Sequence, residues 1–438
     1  MTASTGIARF DEERLYAKVT WRLVPFLFVF YVLGYLDRVN IGFAKLQMLS
    51  DLGWSDSIYG TGAGMFFFGY FVLQVPGNLI LCRVGARRWI ATLMVVWGLI
   101  SASMMFVHTP LLFYILRFAL GLAEAGFFPG IVLYLTFWFP SYRRQKVIAM
   151  FYTGMPVAGV IGGPLSGWIM HAFDHAGGLK GWQWLFLLEG LPSVALGGLV
   201  LVILNNSFQE VRWLTSEEKA LLAYNIANEH RPSQHLNLRE VLTNGKVWLL
   251  CLVGFMSAFG IYAIGFWLPQ VIKDTGVTDP LHVGLLSAIP YGVAVVVMIA
   301  VSTNSDRTLE RRWHLALSYF TGALGLVGCG LAAHSTLWSM VALTVATSGI
   351  MAFCPLFWAL PAEFLSGVAL GAAIGMINAV GNLGGFFSPY MMGLIKDSTH
   401  STAWGFYVSA VCVTISGTIV LARKRVSAAV PALETVPS

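Results

Sequence analysis

Four ionisable residues interrupt apolar stretches of the sequence. Asp37 and Arg38 are adjacent, and Arg117 and Glu124 stand seven residues apart. On a helix, positions 117 and 124 share one face two turns apart, whereas adjacent residues diverge by about 100°. An unpaired charge at the centre of a bilayer costs at least about 2.5 kcal/mol, so these side chains must face water or one another. Two cations and two acids in apolar surroundings predict a site that binds an anion and a proton.

The binding of the two ligands at such a site is coupled. An organic anion drawn to Arg38 or Arg117 competes with the acids for the cation. The negative charge of Asp37 or Glu124 is then less stabilised by the arginine, and the acid takes up a proton more readily. Anion and proton therefore bind together. The alternative is that the four charges form buried salt bridges that only fix helix packing, which is a costly use of buried charge.

The composition assigns the chain to the membrane proteins. Of its 438 residues, 57% are hydrophobic and 11% are charged, with a mean hydropathy of +0.72, whereas soluble domains carry roughly 25% charged residues. Since a span needs about 20 apolar residues, the sequence predicts an all-α membrane protein with twelve transmembrane helices. These lie near 21–46, 58–80, 89–108, 110–137, 147–171, 183–205, 246–273, 281–303, 313–333, 336–360, 367–395 and 403–422. The five cysteines lack metal-binding spacing, so no metal or cofactor is expected beyond a coupling proton.

The distribution of Lys and Arg orients these spans. One side, which includes both termini and the long central loop, carries 21 of the 27 basic residues, and the other carries four. The positive-inside rule places the richer side in the cytoplasm. We therefore expect cytoplasmic termini in a plasma membrane, with a bacterial inner membrane as the setting. Because topology explains the net charge of +6, nucleic acid is not expected as a partner.

A charge-rich stretch divides the chain into two six-helix halves. The predicted organisation is an N-terminal cytoplasmic segment 1–20, a bundle 21–205, a cytoplasmic linker 206–245, a second bundle 246–422 and a tail 423–438. The basic run Arg83–Trp89 recurs as Arg307–Trp313 at an offset of 224, and Ala158–Gly163 recurs as Val380–Gly385 at 222. Two recurrences at nearly one offset predict pseudo-symmetric bundles with a substrate site at their interface.

Several segments have a recognisable pattern. SDRTLERRW (Ser305–Trp313) and CRVGARRW (Cys82–Trp89) form a pair of basic loops. The others are YLDRVNIGFA (35–44), GYFVLQVPGN (69–78), RFALGLAEAGFFPG (117–130), WQWLFLLEGLP (182–192) and FWLP (266–269). Together these segments resemble the major facilitator superfamily and, within it, the anion:cation symporter family. The resemblance extends over nearly the whole chain.

The resemblance implies the major facilitator fold and a monomeric carrier of small organic anions, such as phthalate, tartrate, hydroxyphenylacetate or sugar acids. It also implies protonatable acids at Asp37 and Glu124 and an anion-binding arginine at Arg38. One departure from the pattern is that Cys82 replaces the acid of the first basic loop, whereas Asp306 keeps it in the second. The carboxylate of a gating salt bridge is therefore missing from the first copy.

Further side chains are candidates for substrate contacts. Tyr35 precedes Asp37 by two residues, and the family pattern implies that it donates a hydrogen bond to substrate. Asn378 and Asn382 are four apart on one helix face, and amides in hydrocarbon need partners, so one of them is expected to contact substrate. Tyr262 and Trp358 are candidates to wall the pocket from the second half. For the aromatic residues the alternative is ordinary packing.

The remaining polar residues are assigned structural roles. Glu189, near the outer end of its predicted span, is expected to cap, and Glu363 is expected to brace a gate at a cytoplasmic turn. His171 and His175 fit a solvated outer loop better than a metal site. A last group is predicted to set topology and form inner-gate contacts: Arg83, Arg87, Arg88, Asp306, Arg307, Arg311 and Arg312.

The sequence therefore predicts a secondary active transporter that imports a small organic anion by proton symport with alternating access. The alternative is a proton-antiporting exporter of drugs or metabolites. The run Gly159–Gly167 approximates a glycine pattern associated with exporters, although glycines packed between helices explain it equally well. An enzyme is not expected, because P-loop, nucleophile-elbow and HExxH motifs are absent from the sequence. A transporter-like sensor is disfavoured because no soluble output domain is recognisable.

Overall fold

The computed structural model describes residues 3–227, 238–332, 335–365 and 367–423, which form α-helices joined by short turns. The N-terminal half consists of α1 (Ala3–Val39), α2 (Ile41–Leu52), α3 (Asp56–Val84), α4 (Ala86–Ser103), α5 (Pro110–Glu124), α6 (Phe127–Thr136), α7 (Ser141–Tyr152), α8 (Gly154–Ala172) and α9 (Gly181–Ile203). The linker contains α10 (Ser216–Ala227) and α11 (Leu238–Thr243). The C-terminal half consists of α12 (Gly245–Asp274), α13 (Pro280–Thr308), α14 (Arg312–Leu331), α15 (Thr336–Phe357), α16 (Gly367–Thr399) and α17 (Ala403–Ala422).

Ten helical stretches of the described chain are long and apolar enough to cross a bilayer. In the order of the predicted spans, α3 occupies the second position and the pair α7 and α8 occupies the fifth. The helices thus follow the predicted order of twelve spans, and the predicted all-α membrane class is confirmed.

Three predicted spans are interrupted. The first is interrupted at Asn40, the fifth at Thr153, and the fourth between Glu124 and Phe127. Pro129 has no N–H to offer the carbonyl four residues earlier, which weakens the helix at this point. The carbonyl of Gly126 accepts from the N–H of Gly130 over 3.0 Å and from the indole Nε1 of Trp89 over 3.2 Å, so a side chain of α4 contacts the chain at the interruption. The spans predicted near 21–46 and 110–137 are present, each as two consecutive helices.

The two halves meet closely at the end of the bundle opposite the basic loops, which we call the outer end. There α3 packs against α16, and α8 packs against α13. A Cβ added to Gly163 of α8 would lie 2.7 Å from the carbonyl oxygen of Gly284 on α13. Only a residue without a side chain permits such an approach between helix backbones. The glycine run that resembles an exporter pattern therefore serves as a packing surface between the halves.

The linker helix α10 is tied to the first helix. Thr215 Oγ1 accepts from the N–H of Glu218 over 3.2 Å, and Glu218 accepts from the N–H of Thr215 over 2.8 Å, which is a capping box. Lys18 of α1 pairs with the same carboxylate at 2.9 Å. Burial raises the pKa of Glu218, but the bonds from Lys18 and Thr215 outweigh it and hold that pKa below its ordinary value.

Candidate functional site

Arg38 and Glu124 form the centre of the site. At the end of α1, the guanidinium of Arg38 donates to Oε2 of Glu124 through Nη2 at 2.9 Å and through Nε at 3.3 Å. Glu124 lies at the last turn of α5 and is buried, whereas 21% of the Arg38 side chain is exposed. The arginine is therefore the part of this ion pair that a solute reaches.

Arg117 extends the site inside the N-terminal half. It is fully buried, and its Nε donates to the carbonyl of Gly62 over 3.4 Å. Its two Nη atoms have no acceptor within the described part of the chain. Phe66 lies between the two cations, with its ring centroid 5.0 Å from the Arg38 guanidinium carbon and 5.1 Å from that of Arg117. The ring face stabilises both cations.

Close contact between α3 and α5 sets these positions. A Cβ on Gly121 of α5 would overlap the backbone carbonyl of Phe66 on α3, and a Cβ on Gly69 would overlap that of Phe118. The two helices therefore pack backbone against backbone. This packing places Arg117 and Glu124, on the same face of α5, beside the Phe66 ring.

Aromatic side chains from both halves surround the guanidinium of Arg38. Tyr70 of α3 lies 5.3 Å from its central carbon, and Tyr35 of α1 lies 6.0 Å away. Tyr262 of α12, in the opposite half, lies beside the same group, and its ring packs 4.2 Å from that of Phe67. The structure thus brings the predicted residues Tyr35 and Tyr262 to Arg38.

Asp37 lies apart from this cluster. It is buried, and it accepts hydrogen bonds from Ser101 of α4 and Ser193 of α9, both over 2.8 Å. The sequence allowed one cluster of four charges. The structure brings three of them together, Arg38, Arg117 and Glu124, and the fourth bonds two hydroxyls on another face of α1. These three carry a net charge of +1 when ionised.

The other candidates from the C-terminal half lie on two helices. Asn378 and Asn382 are half-buried on α16, and Nδ2 of Asn382 has no partner within the described ranges. Gly385, one turn further along α16, packs against the rings of Phe67 and Tyr262, so Asn382 lies one turn from the wall of the site. Trp358 follows α15 directly and packs against Phe357 at 5.3 Å.

The basic loops lie away from this cluster, at the ends of the helices. Arg83 and Arg88 are exposed, Arg307 is exposed, and Arg311 lies 3.7 Å from Asp306 within its own loop. Arg87 donates to the carbonyl of Leu201, and Arg312 donates to the carbonyl of Leu421. Glu363 pairs with Arg423 at 3.4 Å. In the described contacts each loop bonds within its own half.

Sequence reasoning missed several residues of the site. Phe66 and Tyr70 flank the cations, although an aromatic residue in a span gives no specific signal. Ser101 and Ser193 gave only the weak signal of hydroxyls within apolar runs. The expected capping role of Glu189 is wrong. It lies two turns inside α9, is 4% exposed, and accepts from Ser166 of α8 over 2.7 Å.

A set of polar contacts joins the halves at the outer end. Asp397 of α16 accepts from the N–H groups of Asp56 and Ser57 over 2.9 and 2.8 Å, at the start of α3. Lys45 of α2 is buried, pairs with Asp56 at 2.6 Å, and lies 3.2 Å from the ring centroid of Trp267 on α12. His171, expected in a solvated loop, pairs with Asp279 of the opposite half at 2.7 Å.

The sequence matches a known protein family and is similar to proteins named as transporters. The family model for the Major Facilitator Superfamily matches residues 27–389. The chain is 47% identical to the protein NicT of Pseudomonas putida, which is named for metabolite transport, with 94% of each chain covered. It is 46% identical to a protein of Agrobacterium vitis named for tartrate transport, with 94% and 92% covered. It is 38% identical to a protein of Acinetobacter baumannii named as a quinolone resistance transporter, with 90% and 92% covered.

A solved structure shares the architecture. The crystal structure of a D-xylose-proton symporter superposes with a TM-score of 0.73, with 91% of this chain and 97% of that chain covered. The two sequences are 14% identical, so the likeness concerns the fold alone.

Proposed function

Because the chain belongs to the Major Facilitator Superfamily and is a membrane transporter rather than an enzyme, we propose that it imports a small organic anion together with protons. The cargo binds between the two halves, and the halves expose it alternately to the two sides of the membrane. The proposed setting is a bacterial inner membrane, with a monomer whose termini both face the cytoplasm.

The observation that carries this proposal is the charge of the cluster Arg38, Arg117 and Glu124. Two guanidinium groups and one carboxylate leave one positive charge uncompensated, because Asp37 bonds Ser101 and Ser193 instead. A carboxylate cargo complements that charge. The exposed face of Arg38 and the unpartnered Nη atoms of Arg117 supply donors for it, and such charge-assisted bonds are the strong ones.

Coupling follows from competition for Arg38. A cargo carboxylate that bonds this guanidinium displaces Glu124, whose uncompensated buried charge then favours the protonated form. Once Glu124 is neutral, the two arginines carry two positive charges, which match a dicarboxylate or a monocarboxylate with a further acceptor group. Protonation of Glu124 and binding of the anion therefore favour each other.

The names of the relatives support an organic-acid cargo. One is named for tartrate transport and another for metabolite transport, each at more than 45% identity over nearly the whole chain. The aromatic rings of Tyr35, Phe66, Tyr70 and Tyr262 around Arg38 favour a cargo with an apolar or planar body beside its carboxylate.

A proton-antiporting exporter is the second candidate, and one observation favours it. The relative from Acinetobacter baumannii, 38% identical over 90% of this chain, is named as a quinolone resistance transporter. A quinolone also carries a carboxylate and an aromatic body, so the same site accommodates it. The two candidates differ in the direction of coupling.

Transport by purified protein in proteoliposomes separates the two. With radiolabelled tartrate outside, an alkaline lumen should drive accumulation above the equilibrium level, and a proton ionophore should abolish it. An exporter would instead accumulate a labelled quinolone in an acidic lumen and would leave tartrate unmoved. Absence of gradient-driven movement of tartrate and other carboxylates would overturn the symport proposal.

A further inference from the structure

Glu189 is a second buried acid that the proposed transport cycle has not used. It lies two turns inside the membrane-spanning helix α9, with one oxygen accepting from Ser166 over 2.7 Å. Its other oxygen, Oε2, has no hydrogen-bond partner within the described residues. Asn40, between α1 and α2, lies beside it, with its side-chain amide close to the carboxyl but without a regular hydrogen bond to it. A buried carboxyl and a buried amide therefore meet at one point.

The surroundings of Glu189 offer no cation in the described part of the chain. Helices α1, α2, α4 and α8 pack against α9. The ionisable group that faces Glu189 from these helices is Asp37 of α1, itself an acid. From α8 comes the hydroxyl of Ser166, and Lys45 of α2 is engaged with Asp56. An ionised carboxylate in such a place pays a desolvation cost that no opposite charge offsets, so the neutral acid fits the site.

A small cavity at the interface between the halves adjoins two neighbours of Glu189. It measures about 20 Å³ and is lined by Asn40 and Ser166, the two neighbours of Glu189, and by Gly163. Ser287 and Tyr291 of α13 close it from the C-terminal half. Such a volume holds about one water molecule. Separation of α8 from α13 at the outer end would open the cavity and bring water to Ser166 and Asn40.

We propose that Glu189 is a proton-binding site, loaded from the outer side through this cavity, and that it carries a transported proton in addition to those of Glu124 and Asp37. A proton from water binds Oε2, and Oε1 keeps its bond from Ser166. The transport part of this inference rests on the proposed proton symport. The binding part stands on the burial of Glu189, its unpartnered oxygen and the cavity.

Infrared difference spectroscopy tests proton binding without any cargo. The purified full-length protein in lipid at neutral pH should show the C=O absorption of a protonated buried carboxyl, and Glu189→Gln should remove it. Ser166→Ala should shift that absorption. Ser193→Ala, the matched control, should leave it in place and change only the absorption of Asp37. If Glu189→Gln does not fold, the shift of the carboxyl absorption in Ser166→Ala still tests whether Glu189 is protonated. Spectra without a Glu189 carboxylic band would overturn the proposal.

The number of protons per cargo tests the transport part. With radiolabelled tartrate in proteoliposomes, reversal potentials should report one proton fewer per tartrate for Glu189→Gln than for the unaltered protein. Glu210→Gln, an exposed acid in the linker, should keep the ratio. An unchanged ratio for Glu189→Gln would refute a transported proton. If the unaltered protein moves no organic anion, the proposed function fails, and the infrared spectra alone decide whether Glu189 binds a proton.

Discussion

The guanidinium of Arg38 donates two hydrogen bonds, of 2.9 and 3.3 Å, to a single oxygen of Glu124 and so links the first span to the fourth. This pair lies next to a second cation, Arg117, whose Nη atoms have no acceptor in the described residues. An arriving anion therefore meets one guanidinium engaged with Glu124 and a second whose Nη atoms lack an acceptor among the described residues. Release of Glu124 by Arg38 is the step at which anion binding and protonation become linked.

Replacing Arg38 by Lys should weaken cargo binding while keeping the charge. The ammonium lacks the planar fork that reaches a carboxylate, and it loses the stacking on Phe66 and Tyr70. A hydrogen bond to a charged group is worth about 1.5–3 kcal/mol, so we expect a concentration for half-maximal tartrate uptake at least about tenfold higher. Arg88→Lys, in an exposed loop, is the control. If the unaltered protein, Arg38→Lys and Arg88→Lys all reach half-maximal uptake at the same tartrate concentration, Arg38 does not bind cargo.

The sequence predicted the fold and identified the four charges within apolar runs, for physical reasons. A charge within an apolar run is costly wherever the helix sits, so Asp37, Arg38, Arg117 and Glu124 were identifiable without coordinates. Helical periodicity also placed Arg117 and Glu124 on one face, as the structure has them.

Periodicity does not reveal how helices are rotated against one another. The same 100° step that separates Asp37 from Arg38 is compatible with either residue facing the interface between the halves. Packing of α1 against α4 and α9 turns Asp37 toward Ser101 and Ser193. Lys45 gave no usable signal either, because its partner Trp267 lies on a helix of the other half.

Gly121→Ala should destabilise the protein. The added methyl would overlap the carbonyl of Phe66 and force α5 away from α3, and overpacking of this kind costs about 1–3 kcal/mol. Thermal unfolding of the purified protein, followed by circular dichroism, should show a lower midpoint. Gly198→Ala is the matched control in α9, because a Cβ there meets no atom within 4 Å. A midpoint for Gly121→Ala at or above that of Gly198→Ala would contradict the proposed close packing.

Lys45→Met should loosen the outer end. The substitution removes the ammonium that pairs with Asp56 and lies over Trp267 of the opposite half. A cation–π contact alone contributes about 0.5–2 kcal/mol, so we expect two- to thirtyfold faster maleimide labelling of Ser287→Cys at the buried interface. Labelling is measured in a protein whose native cysteines have been replaced. Lys180→Met, at the same end but with 42% of its side chain exposed, should not change the rate. An unchanged rate for Lys45→Met would show that this contact does not hold the halves together.

Asp279 should stabilise the protein at neutral pH and lose that effect in acid. Burial raises its pKa, but hydrogen bonds from His171 and from the backbone N–H of His282 outweigh it and hold the pKa below its ordinary value. A lowered native pKa adds stability above the unfolded value, about 3.9, and this stability disappears as pH falls through the native value.

Asp279→Asn isolates this effect, because Asn retains the N-cap of α13 while removing the charge. The unfolding midpoint of the unaltered protein should exceed that of the variant at about pH 5. The gap should shrink below about pH 4. If the difference between the two midpoints instead grew below about pH 4, ionised Asp279 would be excluded as the stabilising form.

The most direct test of the central claim compares exchange with accumulation for Glu124→Gln and Asp37→Asn in proteoliposomes. Each variant fixes a neutral side chain of nearly the same shape, so tartrate should still exchange across the membrane. Tartrate accumulation driven by an alkaline lumen should fall to the equilibrium level in both variants. If both variants accumulate tartrate as the unaltered protein does, neither acid couples protons to the anion, and the account of transport given above is contradicted.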